Sequence, residues 1–559
     1  MSEFLRSLSV ATRQNLLLVV FCLFAFLPGI SSLPPIDRDE ARFVQATKQM
    51  MESGDYIDIR FQDEHRYKKP VGLYWLQATA VKLTGQGAEA KIWTYRLVSV
   101  AAGITSVLTI ASLGVFLFGP VAGLAAGLMM AGIFGLGFEA RLAKTDATLL
   151  ALTLVSQAAL ARFYINSKSA NPTSRVWWWA FWIANGAGIL IKGPITPLVA
   201  GLTLAGIAAV DRDRSWIRAL KPLRGLFVLA VLVLPWFIAI SVISGGAFWA
   251  ESVGKDMLGK VADGAESHGA PPGYYMLTYS LYMWPFALIA IDGGLKALNR
   301  FREPKLLFLL SWYVPFWLIL EFTPTKLPHY PLPAYPALLL LGAWALLTQE
   351  GKEASLKTWQ LWLSRLTLLG LAVMTLGFAA AAAFGVPWFT GSISFAGILA
   401  AALALAAGWF ASGVPMPQAM RWPPMLRAGA ASAAAIAFMG LFTASVLTAM
   451  TPMWISPHIV SAFNAAKPCA DSLLASVDYH EPSLVFLAGT TTNLTDTKGA
   501  AAHLAASPKC NVAVLPIALR GELQALLPTE LTLVDIGMVD GINYSKGDEK
   551  KLVLVRIAP

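Results

Sequence analysis

Charged side chains crowd together at a few points along an otherwise apolar chain. The segment PPIDRDEARF brings Asp39, Glu40 and Arg42 directly after the first long apolar run. An arginine close to an aspartate can bind a phosphate with two hydrogen bonds while the aspartate stays ionised beside it. The alternative is a solvated helix N-terminus, where acidic groups complement the helix dipole. We favour a phosphate site, because this segment lies at the level of the lipid head groups.

A second basic group lies in the segment HRYKKPVGLYW. Lys68 and Lys69 precede a proline that opens an amphipathic helix, and Arg66 and Tyr67 stand directly before them. The N-terminus of a helix is a favourable place for an anion. A lysine pair beside an interfacial helix can also do no more than contact anionic head groups. Because the DEAR segment lies less than thirty residues upstream, the two segments together predict a phosphate clamp.

Three further turns carry polar side chains at the ends of apolar runs. Asp146 opens such a run, and a short carboxylate cannot extend far toward water, so we assign it to the site. Lys192 ends another run, where extension of its side chain to the interface explains it equally well. Tyr275 and Tyr330 lie in later turns, where tyrosine also serves as an interface anchor.

A weak metal motif is present in the loop AESHGAPPGYY. Glu266 and His268 flank one serine and could offer two ligands, but a complete metal site needs more. No cofactor follows from the residues, and a divalent metal remains an open alternative.

The rest of the composition is that of a membrane protein. Of the 559 residues, 56% are apolar and 14% are charged, whereas about 25% are charged in soluble domains. The net charge of +10 does not imply nucleic acid, because basic residues collect in the cytoplasmic loops of membrane proteins. The chain has no GxxxxGK[ST] loop, which argues against an ATP-driven pump. It also has no HExxH motif and no dinucleotide fingerprint.

Apolar runs long enough to cross a bilayer, about 20 residues each, predict a mostly α, polytopic protein with thirteen transmembrane helices. They lie at about 15–33, 95–118, 120–138, 146–164, 177–192, 194–210, 223–244, 274–294, 305–321, 330–348, 361–386, 393–413 and 427–450. Lys and Arg concentrate in alternate loops, such as 211–224, so the N-terminus is predicted to be cytoplasmic. The far side, the periplasm of a bacterium, then receives residues 33–91, the loop 245–273 and the C-terminal tail.

The chain divides into a transmembrane domain, 1–450, and a periplasmic α/β domain, 451–559. Within residues 33–91, two short helices at Asp39–Met51 and Pro70–Leu83 are predicted to lie at the interface. In the tail, we predict strands at SLVFLAG, CNVAVLPIA, LTLVDIG and KLVLVRIAP, and helices at ADSLLASV and RGELQALL. Cys469 and Cys510 both lie on the oxidising side, which predicts a disulfide.

The motifs occur in an order that resembles a known family. IDRDEARFVQATKQMMESGDYI, RYKKPVGLYWLQATAVKL and AEAKIWTYRLVSV are followed by TDATL, LIKGP, HGAPPGYY and KLPHYPLPAYP. This series is similar to that of the protein O-mannosyltransferase-like GT-C glycosyltransferases, and within them to the branch that modifies bacterial lipid A with 4-amino-4-deoxy-L-arabinose.

The resemblance implies a sugar donor on undecaprenyl phosphate and a lipid A phosphate as acceptor. The reaction would take place at the periplasmic face of the inner membrane, on a monomer, and confer resistance to cationic peptides such as polymyxin. By position in the motifs, Asp39 is the essential acid, and Arg42 and Lys69 face the donor phosphate. Asp146 and Lys192 take the acidic and basic positions of the later turns.

Three alternatives remain open at this point. The same fold could transfer another sugar, or could act on a protein hydroxyl, in which case Asp39 is a base rather than an organiser of cations. A transporter or flippase of lipid-linked sugar belongs to another class. Transporters place ionisable residues near the mid-membrane and often show repeated halves, whereas here the charges concentrate at the ends of the apolar runs.

Overall fold

The computed structural model describes residues 9–169, 171–259, 269–413 and 422–558. Helices make up most of the chain before residue 450. The first group consists of α1 (Val10–Phe26), α2 (Asp39–Ser53), α3 (Gly72–Thr84), α4 (Ile92–Phe118), α5 (Pro120–Gly132), α6 (Phe134–Glu139), α7 (Thr145–Lys168), α8 (Arg175–Lys192), α9 (Ile195–Val210) and α10 (Pro222–Ser244). The second group consists of α11 (Ala247–Trp249), α12 (Tyr274–Tyr282), α13 (Ala287–Leu298), α14 (Pro304–Phe322), α15 (Tyr335–Leu347), α16 (Gln349–Glu353), α17 (Thr358–Thr390), α18 (Phe395–Ala411), α19 (Pro424–Leu441) and α20 (Leu447–Ala449).

Many of these helices are suited to a bilayer. Six helical segments are long and apolar enough to cross a membrane, and five shorter apolar helices accompany them. The chain is therefore a multi-pass membrane protein, as its composition predicts. Every predicted apolar run contains at least part of one helix, while thirteen as the number of crossings stays a prediction.

Two of the predicted continuous helices are wrong, because each is broken in the middle. The run 274–294 divides into α12 and α13, since Pro285 has no backbone N–H and disfavours a helical conformation of the residue before it. The run 120–138 divides into α5 and α6 at Ile133, which has extended backbone. The two breaks face each other, and the Phe134 N–H donates to the carbonyl of Trp284 at 2.8 Å.

Both predicted interfacial helices are present, as α2 and α3. They contact each other through a buried hydrogen bond of 2.7 Å from Thr47 Oγ1 to Gln77 Oε1. A short hairpin of β1 (Arg60–Phe61) and β2 (Glu64–His65) connects them. The segment Arg66–Lys69 therefore leaves this hairpin and enters α3 beside the first turn of α2.

A five-stranded sheet forms the C-terminal region. Its strands are β3 (Leu474–Val477), β4 (Asn493–Thr495), β5 (Val512–Pro516), β6 (Leu533–Asn543) and β7 (Asp548–Ile557), in the order β4-β3-β5-β7-β6. Strand β3 is parallel to β4 and β5, and β7 is antiparallel to β5 and β6. The accompanying helices are α21 (Ile455–Ala466), α22 (Pro482–Ala488), α23 (Thr497–Ala506) and α24 (Arg520–Leu526).

Two elements of this region are the reverse of the prediction. The run ADSLLASV contains strand β3 rather than a helix, and SLVFLAG forms α22 rather than a strand. Short apolar runs carry too few turns for their period to separate helix from strand. Pro482 begins α22 at a position where the missing N–H costs no hydrogen bond. The predicted Cys469–Cys510 disulfide is present and joins the starts of the neighbouring strands β3 and β5.

A buried ion pair anchors the beginning of α2 to α4. Arg96 donates from Nε and Nη2 to the two carboxylate oxygens of Glu40, at 2.8 and 2.7 Å, and both side chains are fully buried. The remaining guanidinium hydrogens reach the carbonyls of Ile30, Leu33 and Pro34. Every charge in this pair is therefore compensated by short hydrogen bonds, which is the condition for a stable buried ion pair.

We predict that Arg96→Met destabilises the protein by about 3–5 kcal/mol, because Glu40 is left charged and buried without its partner. The measurement is thermal unfolding of the purified protein in detergent. The matched control is Arg520→Met, which breaks the exposed 2.6 Å pair with Asp535 and should cost less than about 1 kcal/mol. Equal melting temperatures for the two variants would contradict this prediction.

Candidate active site

Most of the charged residues singled out in the sequence line one cavity. It encloses about 730 Å³ of space that opens to solvent. Its walls come from the start of α2, the segment before α3, the start of α7, the end of α8 and the turn between α14 and α15. The lining residues are Asp39, Arg42, Phe43, Arg66, Lys68, Lys69, Lys144, Thr145, Asp146, Lys192, Asp256, Thr325, Leu327, His329 and Tyr330.

Basic side chains outnumber acidic ones around this cavity. Arg42, Arg66 and four lysines face three aspartates, which leaves a formal excess of three positive charges with His329 neutral. Only Phe43 and Leu327 are apolar among the lining residues. A cavity with this charge at the edge of an apolar body is suited to an anion such as a phosphate.

Asp39 is the first residue of α2 and its carboxylate faces the cavity. Among the described residues, it makes no hydrogen bond and no ion pair within 4.0 Å, and it is accessible to solvent. The surrounding protein desolvates the carboxylate, but Lys144, Arg66 and Lys192 more than compensate and hold its pKa below the usual range. Asp39 therefore stays ionised at neutral pH and available to a ligand.

Asp146, by contrast, contacts a lysine and lies close to a histidine. Lys192 Nζ contacts Asp146 Oδ1 at 2.6 Å, and His329 Nε2 lies 3.6 Å from the same oxygen. Lys192 Nζ also lies 5.5 Å from the centre of the Tyr330 ring. The start of α7, the end of α8 and the α14–α15 turn are thereby held together.

Lys69 forms an ion pair that sequence reasoning missed. Its Nζ lies 2.5 Å from Oδ2 of Asp256, in the π-helical segment Ala250–Leu258 that follows α11. Asp256 stands in no recognisable motif, so only its tertiary position reveals it. Arg66, another lining residue, places its guanidinium 5.2 Å from the centre of the Phe43 ring.

Three residues predicted to bind substrate lie elsewhere. Glu40 points into the protein toward Arg96 and is 1% exposed, because consecutive residues of a helix point in different directions. The Tyr67 hydroxyl donates to Asp58 Oδ1 at 3.0 Å and packs in the hairpin. Tyr275 is buried beneath the turn and does not line the cavity. The proposed metal ligands Glu266 and His268 fall outside the described residues.

The fold as a whole matches that of solved membrane-protein structures. It superposes over 97% of both chains on the crystal structure of ArnT from Cupriavidus metallidurans bound to undecaprenyl phosphate, with a TM-score of 0.74 and 18% identity. The apo form of that protein matches with a TM-score of 0.72 and 19% identity, over 98% of both chains. The fold is that of the GT-C membrane glycosyltransferases.

Sequence comparison places the chain more narrowly. Residues 68–238 match the family described as dolichyl-phosphate-mannose-protein mannosyltransferase. Proteins named undecaprenyl phosphate-alpha-4-amino-4-deoxy-L-arabinose arabinosyl transferase are 29% identical in Aeromonas hydrophila, over 70% of each chain, and 30% identical in Aeromonas salmonicida, over 63% of this chain and 64% of that protein. The chain is a glycosyltransferase related to these arabinosyl transferases, which confirms the resemblance indicated by its motifs.

The buried His329 makes the stability of the folded protein depend on pH. Burial lowers the pKa of His329 to about 3, while an unfolded histidine titrates near 6.5. Below pH 6.5 the unfolded chain therefore binds a proton that the folded protein excludes, and stability falls as the pH falls. We predict that at pH 5 this costs the native protein about 2 kcal/mol relative to pH 7.5.

His329→Gln should remove that loss, so the variant loses less stability than the native protein between pH 7.5 and pH 5. Thermal unfolding at the two pH values measures the difference. His458→Gln, in the C-terminal region, controls for the removal of a histidine elsewhere. Identical pH dependence in the native protein and His329→Gln would show that the ring is protonated in the folded state.

Proposed function

We propose that this chain transfers 4-amino-4-deoxy-L-arabinose from undecaprenyl phosphate to a phosphate group of lipid A. The observation that carries the proposal is the cavity with an excess of positive charge, in which Asp39 presents an ionised carboxylate without a partner among the described residues. The names of the related arabinosyl transferases, and the undecaprenyl phosphate bound by the Cupriavidus protein, support the sugar and the donor.

The leaving group of such a donor is a lipid phosphate. As the bond from the sugar to the phosphate breaks, negative charge increases on the phosphate oxygens, and fixed cations stabilise that charge without having to reorganise. Lys69, Arg42 and Arg66 all line the cavity and can supply these cations. Because Lys69 is paired with Asp256, an arriving phosphate competes with that carboxylate for the same ammonium group.

The low pKa of Asp39 bears on the nature of the acceptor. A carboxylate held ionised by surrounding cations is a weak proton acceptor, so it is poorly suited to activate a serine or threonine hydroxyl. A lipid A phosphate is already an anion and needs no such base. Asp39 then orients the cations around it and stabilises positive charge that develops at the sugar carbon.

The orientation of the protein follows from its loops. Basic residues concentrate in the alternate loops, which predicts that those loops are cytoplasmic. The turns that line the cavity alternate with them along the chain, so the cavity and the sheet region would face the periplasm. We propose that the protein acts as a monomer in the inner membrane.

The function is tested by mass spectrometry of lipid A from cells with and without the protein. We expect lipid A to carry aminoarabinose only when the protein is present. Asp39→Asn and Lys69→Ala should lower transfer on the order of 100- to 1000-fold, because each removes a preorganised electrostatic contact. Lys192→Ala should have a milder effect, since Lys192 contacts Asp146 directly and acts on Asp39 only through longer-range electrostatics.

The matched control is Asp535→Asn, the same carboxylate-to-amide change in an exposed pair of the C-terminal region. It should leave transfer unchanged at equal protein level.

Unmodified lipid A in cells that contain the native protein would reject the aminoarabinose assignment. Modification of another lipid or of a protein would then favour the alternative acceptors, and accumulation of the donor on one face of the membrane would favour a flippase.

A topology experiment tests the orientation independently of the chemistry. A reporter fused after Pro559 should be active in the periplasm, and one inserted within Asp211–Arg224 should be active in the cytoplasm, because the latter segment carries four arginines and a lysine. A periplasmic signal from the second fusion would contradict both the orientation and the predicted number of crossings.

A further inference from the structure

The backbone is strained at the residue directly before Asp39. Arg38 has φ 70° and ψ −99°, a conformation that residues with a side chain rarely adopt. Such a residue costs about 1–3 kcal/mol and persists only where its surroundings hold it. Its carbonyl accepts the first helical hydrogen bond of α2, from the Arg42 N–H at 3.1 Å. The direction of this strained peptide therefore sets the positions of both Asp39 and Arg42.

The turn between β6 and β7 holds this segment from the outside. The Asp37 N–H donates to Tyr544 Oη at 2.7 Å, and the same hydroxyl donates to Asp37 Oδ2 at 3.3 Å. Arg38 Nη2 donates to the carbonyl of Ser545 at 2.9 Å. A further bond of 2.9 Å runs from the Ser483 N–H to Asp37 Oδ1. These contacts fix the two residues before Asp39 by both backbone and side chain.

The turn itself is rigid. Glu481, which is 4% exposed, accepts hydrogen bonds from Asn543 Nδ2 at 2.9 Å and from Ser545 Oγ at 2.7 Å. The Tyr544 ring packs edge-on against Trp454, with 5.8 Å between the ring centres. The hydroxyl that meets Asp37 is thus supported by residues of the same C-terminal region, and little of its position depends on α2.

We propose that Tyr544 is a positioning residue for the transfer reaction, and that the β6–β7 turn holds Arg38 in the conformation that directs Asp39 into the cavity. The inference rests on the proposed role of Asp39. It assigns the C-terminal region a part in the chemistry, although none of its residues lines the cavity. A displacement of about 1 Å at a reacting group lowers a rate on the order of 100-fold, so a small release of this segment has a large effect.

Tyr544→Phe removes only the hydroxyl and keeps the ring on Trp454. We expect the kcat for transfer of aminoarabinose from the undecaprenyl phosphate donor to lipid A to fall about tenfold to a hundredfold. The KM for the donor should change by less than about twofold, because the lining residues Lys69 and Arg66 lie outside the segment that the turn holds.

Thr490→Val is the matched control for general docking of the C-terminal region. Thr490 Oγ1 accepts from Gln45 Nε2 at 2.8 Å and donates to Glu52 at 2.7 Å, so it joins the same region to the middle and end of α2, away from Arg38. This variant should keep nearly native kcat and KM. An equal loss of kcat in both variants would reduce Tyr544 to an ordinary docking contact and overturn the proposal.

A rescue experiment tests the strain directly. Glycine adopts φ 70° and ψ −99° without a steric penalty, since it populates the mirror image of the β region. Arg38→Gly in the Tyr544→Phe background should therefore restore part of the lost kcat. A loss of kcat in Tyr544→Phe that Arg38→Gly does not recover would show that the turn does not act through the strained peptide.

Hydrogen exchange separates this inference from the proposed function. Tyr544→Phe should increase deuterium uptake in the peptide that covers residues 39–44, and Thr490→Val should not. The change in uptake does not depend on the reaction, so it is expected even if the native protein fails to modify lipid A. In that case the proposed function is wrong, while the support of Arg38 by the β6–β7 turn is confirmed. Unchanged uptake in Tyr544→Phe, with an active native protein, would leave the proposed function intact and reject the support of Arg38 by the β6–β7 turn.

Discussion

The buried ion pair between Glu40 and Arg96 is the interaction on which the cavity depends. It joins the first turn of α2 to α4, and the same guanidinium holds the carbonyls of the chain that leaves α1. Glu40 also accepts the backbone N–H of Ala143, at 2.7 Å, in the turn before α7. Three separate stretches of chain therefore meet at one carboxylate. Asp39 and Arg42 lie in the cavity because Glu40, which stands between them in sequence, is held inside the protein.

Charge separates into two kinds around the site. Some carboxylates are already satisfied by lysine, as in the pairs Asp146–Lys192 and Asp256–Lys69. Asp39 alone among the three cavity aspartates lacks such a partner within the described residues. Near a bilayer an uncompensated charge is costly. The paired groups avoid that cost, and each pair holds together the two segments that carry it. Asp39 and the excess of positive charge are the features through which we propose that the cavity binds and acts on an anion.

Much of this arrangement could be predicted from the sequence, because apolar length and the sign of charge act locally. The helices predicted at Asp39–Met51 and Pro70–Leu83 are present with ends that differ by at most two residues, and the predicted grouping of Asp39, Arg42 and Lys69 is found in one cavity. The inward direction of Glu40 could not be predicted, because its partner Arg96 lies 56 residues away. Asp256 escaped notice for the same reason, being 187 residues from Lys69. The predictions for the short runs ADSLLASV and SLVFLAG were wrong, because neighbouring strands, rather than the period of the run itself, decide the structure of such short segments.

The contact between Asp37 and Tyr544 spans 507 residues of chain, and this distance has a consequence for biosynthesis. The pair of Glu40 with Arg96 can form as soon as the first hundred residues are made. At about 5–20 residues per second, the turn that contacts Asp37 follows roughly 20 seconds to a minute and a half later. During that interval the start of α2 can be held by Arg96 but not yet by the β6–β7 turn. A nascent or truncated chain that lacks the sheet region thus carries all the cavity side chains but only one of the two attachments that fix the start of α2.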